Sequence, residues 1–411
     1  MLDDERWEAS VRVNNQHPII ERIEVPRHVL AQANTPWLQG DLSAEVINLL
    51  GFRHVDPGGL FHMTQEALGS PTSNCVLSGN VIGVGSWDSI APETQMASLG
   101  ERSGAFLATA MLYLTFRGQH SLSVLQQLTP RTVHDMQPGD VRFVVFTTPY
   151  GGIDDEAVVL CKATDELHMS IGGGKAPTWL DSIDMAGVEV TEELVSFNIK
   201  GPDRMRAMLT LLHPESCENV RALEPLHCTE VVTRSGEPAI TVRTVIGYEL
   251  WAEPAVLSRA WGQLLSQPEL VTPCGWDALN AYRLQCQEIP FLLYPLDMHA
   301  GTMPHEIGLS WMARDVKREF VGHSAFADGI PAARFNLRGI VGLGSDSDLE
   351  IGDHVTSLDG ELCGHVTSTA PRTHRVGNRA FALILPSVSI GDSVVVRGAR
   401  FRVTKIPIPL G

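Results

Sequence analysis

The chain has 411 residues, 44 % hydrophobic and 19 % charged, the composition of an ordinary globular protein of roughly two or three domains. Its formal charge of −17 at pH 7 argues against a nucleic-acid partner, because phosphate contacts need a basic surface. No stretch approaches the ~18 uninterrupted apolar residues of a membrane span, and the acidic start, Met1 to Arg6, lacks the apolar core of a signal peptide. Neither a nucleic acid nor a membrane is therefore expected as a partner. The seven cysteines are scattered and show no CxxC or His-rich ligand spacing, so no metal site is expected. An odd, dispersed set reads as free thiols in a reducing cytoplasm.

In chain order, residues 1 to about 100 read as irregular and rich in Pro, Gly and Asn, with a short helical patch at Leu42 to Leu50 and a glycine-bearing strand from Asn80 to Trp87. The Gly-x-Gly fragment in that strand lacks the third Gly and the helix of a dinucleotide site. Residues 102–129 read as mostly helical. Val141 to Phe146 is a strand by its β-branched and aromatic content, and Val158 to Leu160 is a second, antiparallel to it. Leu194 to Ile199 is a further strand. Gly201-Pro202-Asp203 opens a helix with Met205, Met208, Leu209 and Leu212 on one face. Thr241 to Trp251 is strand-like around Gly247, and Trp276 to Cys286 is helical. Beyond Pro331, apolar runs alternate with Gly-Asp and Asp-Gly turns, which predicts a small β-barrel or sandwich over 335–411. Strands mixed with helices upstream give an α+β body.

The densest chemistry lies at Tyr150-Gly151-Gly152-Ile153-Asp154-Asp155-Glu156, three acids ahead of the apolar run Ala157 to Leu160. Buried, such a carboxylate has a raised pKa and becomes a usable proton acceptor or charge stabiliser. Solvated, the same residues are an ordinary turn.

Several motifs in this order resemble the glycine-cleavage T-protein family of tetrahydrofolate-dependent aminomethyltransferases and demethylases. Arg102-Ser103-Gly104-Ala105-Phe106 resembles its R-T-G-x-F, and Gly151 to Asp155 its G-G-I-x-D-D. Ile199-Lys200-Gly201-Pro202 resembles its Q-G-P helix start, and Gly247-Tyr248-Glu249-Leu250 its G-Y-E segment. Trp276 to Leu284 resembles its A-x-x-x-L-R-L-E helix. Thr302 to Glu306, Lys317 to Gly322 and Gly364 to Ser368 resemble later segments. The wording around Gly275-Trp276-Asp277-Ala278 is closest to the demethylases. Residues 1–100 match poorly.

The resemblance implies an α+β, three-domain cloverleaf with a central folate channel and a C-terminal small β-barrel. The body would occupy 1–335 as two interleaved subdomains, the second from roughly 200 to 335, and the barrel 336–411. It implies tetrahydrofolate as cofactor and a small-molecule methyl donor as partner, with an O-, N- or S-methyl substrate demethylated to give 5-methyltetrahydrofolate. One-carbon donation from a folate derivative, and a non-catalytic folate-binding protein, are the alternatives. Asp155 takes the place of the family's first Asp if the motif is aligned without a gap, and Asp154 if one residue is deleted. Glu249 matches the family Glu that receives the pterin's N–H donors, a task suited to a carboxylate. Tyr248 and Trp251 flank it, and Ser170 stands where the family has an Asn that helps to hold the pterin. Arg283 matches the helix Arg, to meet a folate carboxylate or a substrate acid, or to form a helix-surface ion pair. Glu306, Cys274 and Cys286 read as structural. His54, His62 and Trp87 are candidates for a substrate site, each equally readable as packing or loop.

Overall fold

The computed structural model describes residues 6–9, 23–26, 37–39, 53–54, 56–76, 81–108, 111–172, 180, 183–286, 292–293, 296–298, 301–313, 319–344, 349–369 and 378–408, with backbone alone before residue 56 and over 72–82. The Leu42 to Leu50 helix and the His54 side chain lie outside them. Strands β1 (Arg6–Ala9) and β2 (Ile23–Pro26) pair as a hairpin. Strands β3 (Trp37–Gln39), β4 (Arg53–His54), β5 (Pro71–Val76) and β6 (Val81–Trp87) form a four-stranded sheet. Helices α1 (Leu60–Leu68) and α2 (Pro92–Glu101) accompany it, so the first hundred residues are more regular than their composition predicts.

Residues 102–129 correct a second expectation. They form β7 (Gly104–Leu107), β8 (Leu112–Arg117) and only then a helix, α3 (Ser121–Leu128). Each strand is claimed by neighbours on both sides: β7 lies between distant strands of one sheet, β8 between strands of another. Tertiary pairing of this kind overrides a local apolar spacing that suits a helix.

Two sheets make the centre of the molecule, the first antiparallel and the second antiparallel except for Thr272–Cys274, which pairs in parallel with β7. The first contains β8, β9 (Val141–Thr147), β10 (Ile153–Ala163), β11 (Glu166–Ile171) and β12 (Glu189–Thr191), in the order β12-β8-β11-β10-β9. Period-two alternation gives it two different faces. Val144, Phe146, Ala157, Val159 and Met169 pack with Val124, Leu125 and Leu128 of α3. Tyr113, Val158 and Leu160 face the core of the second sheet, while Val145 and Ile153 face a cluster holding Leu284 and Phe381.

The second sheet runs β14 (His227–Val232), β15 (Pro238–Arg243), β16 (Gly247–Ala252), β13 (Val195–Lys200), β7 and β17 (Thr272–Cys274). Helices α4 (Arg204–Thr210), α5 (Pro214–Ala222) and α6 (Pro254–Leu265) follow their strands in the chain. Trp261 of α6 lies 5.2 Å from Phe197 of β13, centroid to centroid. On the opposite face, Trp251 of β16 meets Tyr113 of the first sheet edge-on at 5.1 Å. Helix α7 (Trp276–Gln285) then leads toward the C-terminal region.

That region is a closed barrel, β18 (Asn336–Gly342), β19 (His354–Thr356), β20 (Leu362–Thr369), β21 (Arg379–Ile384), β22 (Ser393–Val396) and β23 (Ala399–Thr404), in the order β18-β21-β20-β19-β22-β23. Closure leaves no exposed sheet edge. Leu337, Phe381 and Leu383 pack into the same cluster as Val145 and Ile153, so the barrel is docked against the first sheet. No helix among the described residues is long and apolar enough to cross a membrane.

Candidate active site between the two sheets

The acid run lies within β10 and not in a turn. The turn precedes it: Thr148 N–H donates to Gly152 O at 2.7 Å and Gly151 N–H to Thr148 O at 2.8 Å. Gly151 has φ +79, and a Cβ there would stand 2.7 Å from Ala325 Cβ. Gly322 has φ +88, and its Cβ would stand 2.1 Å from Thr148 O. Only glycine fits either place. Thr147 Oγ1 donates to Val321 O at 2.5 Å, and Ile153 N–H to Thr302 O at 2.8 Å. Three separated motifs therefore clamp one turn and drive the following acids into the interior. Asp154, Asp155 and Glu156 are 3 %, 0 % and 7 % exposed, which overturns the solvated-turn alternative.

Strand register separates the three acids. Ile153 pairs with Thr147 and Asp155 with the adjacent Phe146, so the strand bulges at Asp154. From Asp155 onward the pairing is regular. Asp155 shares its face with Ala157 and Phe146, the α3 side. Its Oδ1 accepts the backbone N–H of Glu156 at 2.7 Å. Glu156 shares the opposite face with Val158 and Leu160, and a Cβ on Gly172 would stand 2.7 Å from its Oε1. Ser170 pairs with Val158 and with Tyr113, and so lies on that same inner face. The sequence motif singles out Asp155 or Asp154, whereas the register turns Glu156 toward the second sheet. The period-two count back from Leu160 carries this signal, once the bulge is known to lie ahead of Asp155.

The facing surface of the second sheet carries Ser196, Asn198 and Lys200 of β13 with their partners Trp251, Glu249 and Gly247 of β16. The Trp251 indole N–H donates to Glu249 Oε2 at 2.8 Å, and Tyr113 Oη lies 2.8 Å from Ser196 Oγ. Burial raises the Glu249 pKa, while Lys200 and the Trp251 hydrogen bond pull it down. Burial lowers the Lys200 pKa, and Glu249 opposes that shift. The Tyr113 phenol is held protonated, well above its usual range, by burial. Sequence reasoning missed Lys200, Tyr113 and Ser196, because the pairing of β13 with β16 brings Lys200 and Ser196 to the face of Glu249 and the stacking of the two sheets brings Tyr113 there.

Three expected ligand contacts are corrected. Tyr248 pairs with Ile199 on the opposite face of β16 from Glu249, so the two do not line one pocket. Trp251 is fully buried and orients Glu249 instead of offering its own surface. Arg283 is fully buried in an ion pair with Asp297, donates to Asn280 Oδ1 at 2.6 Å and to Ser368, and its guanidinium lies 5.4 Å over the Phe381 ring. It joins α7 to the barrel and is not presented to a ligand. Ser170 keeps its place on the inner face. His62 is exposed and paired with Asp56, and Trp87 packs on Phe61, so neither reaches the space between the sheets. Glu306 accepts Met303 N–H and Arg334 N–H, each at 2.8 Å, and Cys274 is buried beside Ser98. Among the described residues no group of three His, Cys, Asp or Glu could hold a metal.

His168, two residues along β11 from Ser170, is buried with Nδ1 2.9 Å from Thr115 Oγ1 and Nε2 3.5 Å from Glu166 Oε1. Burial pushes its pKa down to about 4, from 6.5. The unfolded chain therefore takes up this proton first, and stability is lost as pH falls from about 6.5 toward 4. Chemical denaturation at pH 7.5 and 4.5 is expected to show an extra loss on the order of 2–3 kcal/mol in the native chain relative to His168→Gln. Equal losses in both would show that His168 is not buried neutral.

The backbone is similar to that of the glycine cleavage system aminomethyltransferase T from Bartonella henselae, with a TM-score of 0.73 at 17 % identity, covering 87 % of this chain and 98 % of that one. That likeness establishes the fold as the mixed α/β architecture of a T-protein aminomethyltransferase. The GCVT N-terminal domain family model matches residues 86–317, more than half of the chain, and the chain belongs to that family. Among curated relatives, the aminomethyltransferase of Parasynechococcus marenigrum (strain WH8102) is 32 % identical over 289 residues, 65 % of this chain and 75 % of that protein. The aminomethyltransferase of Synechococcus sp. (strain RCC307) is 29 % identical over 285 residues, with the same coverage of each. Aminomethyltransferases of this family use tetrahydrofolate as their folate substrate.

Proposed function

We propose that this chain is a tetrahydrofolate-dependent one-carbon transferase that demethylates a small O-, N- or S-methyl compound, giving 5-methyltetrahydrofolate. The observation that carries the reading is Glu249, a buried carboxylate held by the Trp251 indole on the face that looks across to Ser170 and Tyr113. A carboxylate accepts two parallel N–H donors, and Ser170 adds a hydroxyl that serves as donor or acceptor, so the two fit a flat heterocycle with an amino group and ring N–H. Tetrahydrofolate would supply the nitrogen that receives the one-carbon unit.

In this reading Glu249 and Ser170 orient the heterocycle, and the acid run supplies the carboxylate beside the reacting nitrogen. Asp155 and Asp154 are the candidates by motif, Glu156 by strand register. Positioning dominates such a transfer, because donor carbon and acceptor nitrogen must be held in line. A buried carboxylate then stabilises positive charge developing there. The reading also takes the channel to lie between the sheets and the barrel of a three-domain cloverleaf. Its body would be 1–335, with a second subdomain from roughly 200 that borrows β7, and its barrel 336–411, in a cytoplasmic protein.

The names of the relatives favour a second reading, in which a methylene unit is taken from an aminomethyl donor. Titration calorimetry with tetrahydrofolate and its 5-methyl and methylene forms is the first test. Binding is expected, and Glu249→Gln, which keeps one acceptor of two, is expected to weaken it by about tenfold, or ~1.4 kcal/mol. Absence of binding by every form ends all folate readings. Assay of methyl ethers, methylamines and methylsulfonium compounds against an aminomethyl donor separates the two reactions by the folate product formed.

A further inference from the structure

In the middle of the second sheet one residue stands out by its exposure. All of β16 is buried, as are Gly104, Ala105 and Phe106 of β7 and every residue of β13 except Asn198, which is half-buried. Asn198 is not at a sheet edge: β16 and β7 lie on either side of it, and its register partners are Glu249 and Phe106. Ser196 and Lys200, its neighbours on the same face, are buried. A residue that keeps accessible surface inside a ring of buried neighbours opens onto an interior space. Strand alternation fixes the face: Phe197 and Ile199 point the other way, with Phe197 packed on Trp261 of α6, whereas Ser196 meets Tyr113 of the first sheet. Asn198 therefore looks out from the face that carries Glu249.

Its amide is unengaged. Among the described residues the Asn198 side chain makes no hydrogen bond, whereas Ser196 is held by Tyr113 and Glu249 by Trp251. Direct cross-strand partners have Cβ atoms about 5 Å apart, so the carboxamide stands beside the Glu249 carboxylate. An unsatisfied amide facing the interior costs folding free energy unless a bound molecule satisfies it. The two groups differ in kind: a carboxylate only accepts, whereas a carboxamide donates through its NH2 and accepts through its oxygen. A heterocycle that shows Glu249 an amino group and a ring N–H has a ring nitrogen or a carbonyl flanking them, and that atom needs a donor. We propose that Asn198 binds the heterocycle directly, donating to the acceptor atom that flanks the N–H groups received by Glu249, and so selects rings whose edge carries donor and acceptor side by side. The proposal rests on Glu249 as the group that receives tetrahydrofolate.

The test is anaerobic calorimetric titration of the full-length chain with tetrahydrofolate, with thermal unfolding on the same samples. The proteins compared are the native chain, Asn198→Leu, Asn198→Ala, Glu249→Gln and the double variant Asn198→Leu with Glu249→Gln. Asn198→Leu keeps the volume and removes both polar atoms. It is expected to bind roughly tenfold more weakly while unfolding at the native temperature or above it, the signature of a group kept for binding and not for stability. Asn198→Ala is expected to lose affinity to a similar degree, which separates loss of the amide from crowding by leucine, and it serves alone should the leucine variant not fold. The double variant is expected to bind more weakly than either single one, because two separate contacts to the ligand are gone. Native-like binding by Asn198→Leu or Asn198→Ala overturns the proposal. So does a loss of affinity that comes with a lower unfolding temperature in both, which makes the amide structural. A double variant no weaker than Glu249→Gln overturns it too, since Asn198 would then act only through Glu249. If the native chain binds no tetrahydrofolate, the folate reading falls first and this inference with it. Native binding that Glu249→Gln weakens and both Asn198 variants leave untouched removes the inference alone.

Discussion

Replacing Arg283 with leucine is expected to destabilise the protein by about 3–5 kcal/mol, because it strands the Asp297 carboxylate in the interior without its cation. Asp297 is built into the junction: it accepts Thr367 Oγ1 at 2.8 Å, Ser368 Oγ at 2.7 Å and the Leu293 N–H at 3.2 Å. Thr367 and Ser368 belong to the barrel and Arg283 to α7, so the pair ties the barrel to the body. Urea unfolding followed by tryptophan fluorescence and by far-ultraviolet circular dichroism checks the magnitude. The double variant Arg283→Met with Asp297→Leu is expected to recover much of the loss, since an apolar pair of similar volume is often neutral in place of a buried ion pair. A loss below about 1 kcal/mol for Arg283→Leu would show that water reaches the pair. The same variant, where folded, is expected to bind tetrahydrofolate as the native chain does. A selective loss of affinity at unchanged stability would return Arg283 to the ligand site.

Among the three acids of β10, Glu156→Gln is expected to lower turnover the most, by about 10²- to 10³-fold with little change in folate affinity, the scale for removing a preorganised charge from a reacting centre. Asp155→Asn is expected to act mainly on stability, because its carboxylate supports the Glu156 N–H on the α3 side of the strand. Asp154→Asn, at the bulge, is expected to fall between the two. Single-turnover measurement of folate methylation, with stability measured on the same samples, ranks them. If Asp155→Asn loses turnover at undiminished stability while Glu156→Gln retains it, the motif and not the register identifies the acid. Undiminished turnover in all three would mean that the run is only the end of a strand.

The strands at 141 and 195 and the helix at 276 are legible in the sequence, the first by its β-branched and aromatic content, whereas the single strand expected over Thr241 to Trp251 is two, β15 and β16, which pair with each other across the turn between them. The barrel is legible from its Gly-Asp and Asp-Gly turns, although only closure of β18 on β23 distinguishes barrel from sandwich. The 102–129 segment misleads, because the sheet neighbours of β7 and β8 are far away in the chain: β7 pairs with β13 and β17, β8 with β11 and β12. Local apolar spacing carries no record of such partners.

The same division holds for the candidate site. The sequence by itself determined that an acid run and a Gly-Tyr-Glu strand belong to one family pattern, and that glycines stand where the backbone must turn or pass close. Those are properties of residue type and spacing. The tertiary structure decided which way each side chain points. A single bulge ahead of Asp155 sets the phase of β10, and in a strand a shift of one residue exchanges the two faces. Pairing of β13 with β16 puts Lys200 and Ser196 on the face of Glu249 and Tyr248 on the other, stacking of the two sheets adds Tyr113, and the docked barrel holds Arg283 at its junction. Facing and burial depend on what lies across the interior, and no stretch of sequence contains its own opposite wall.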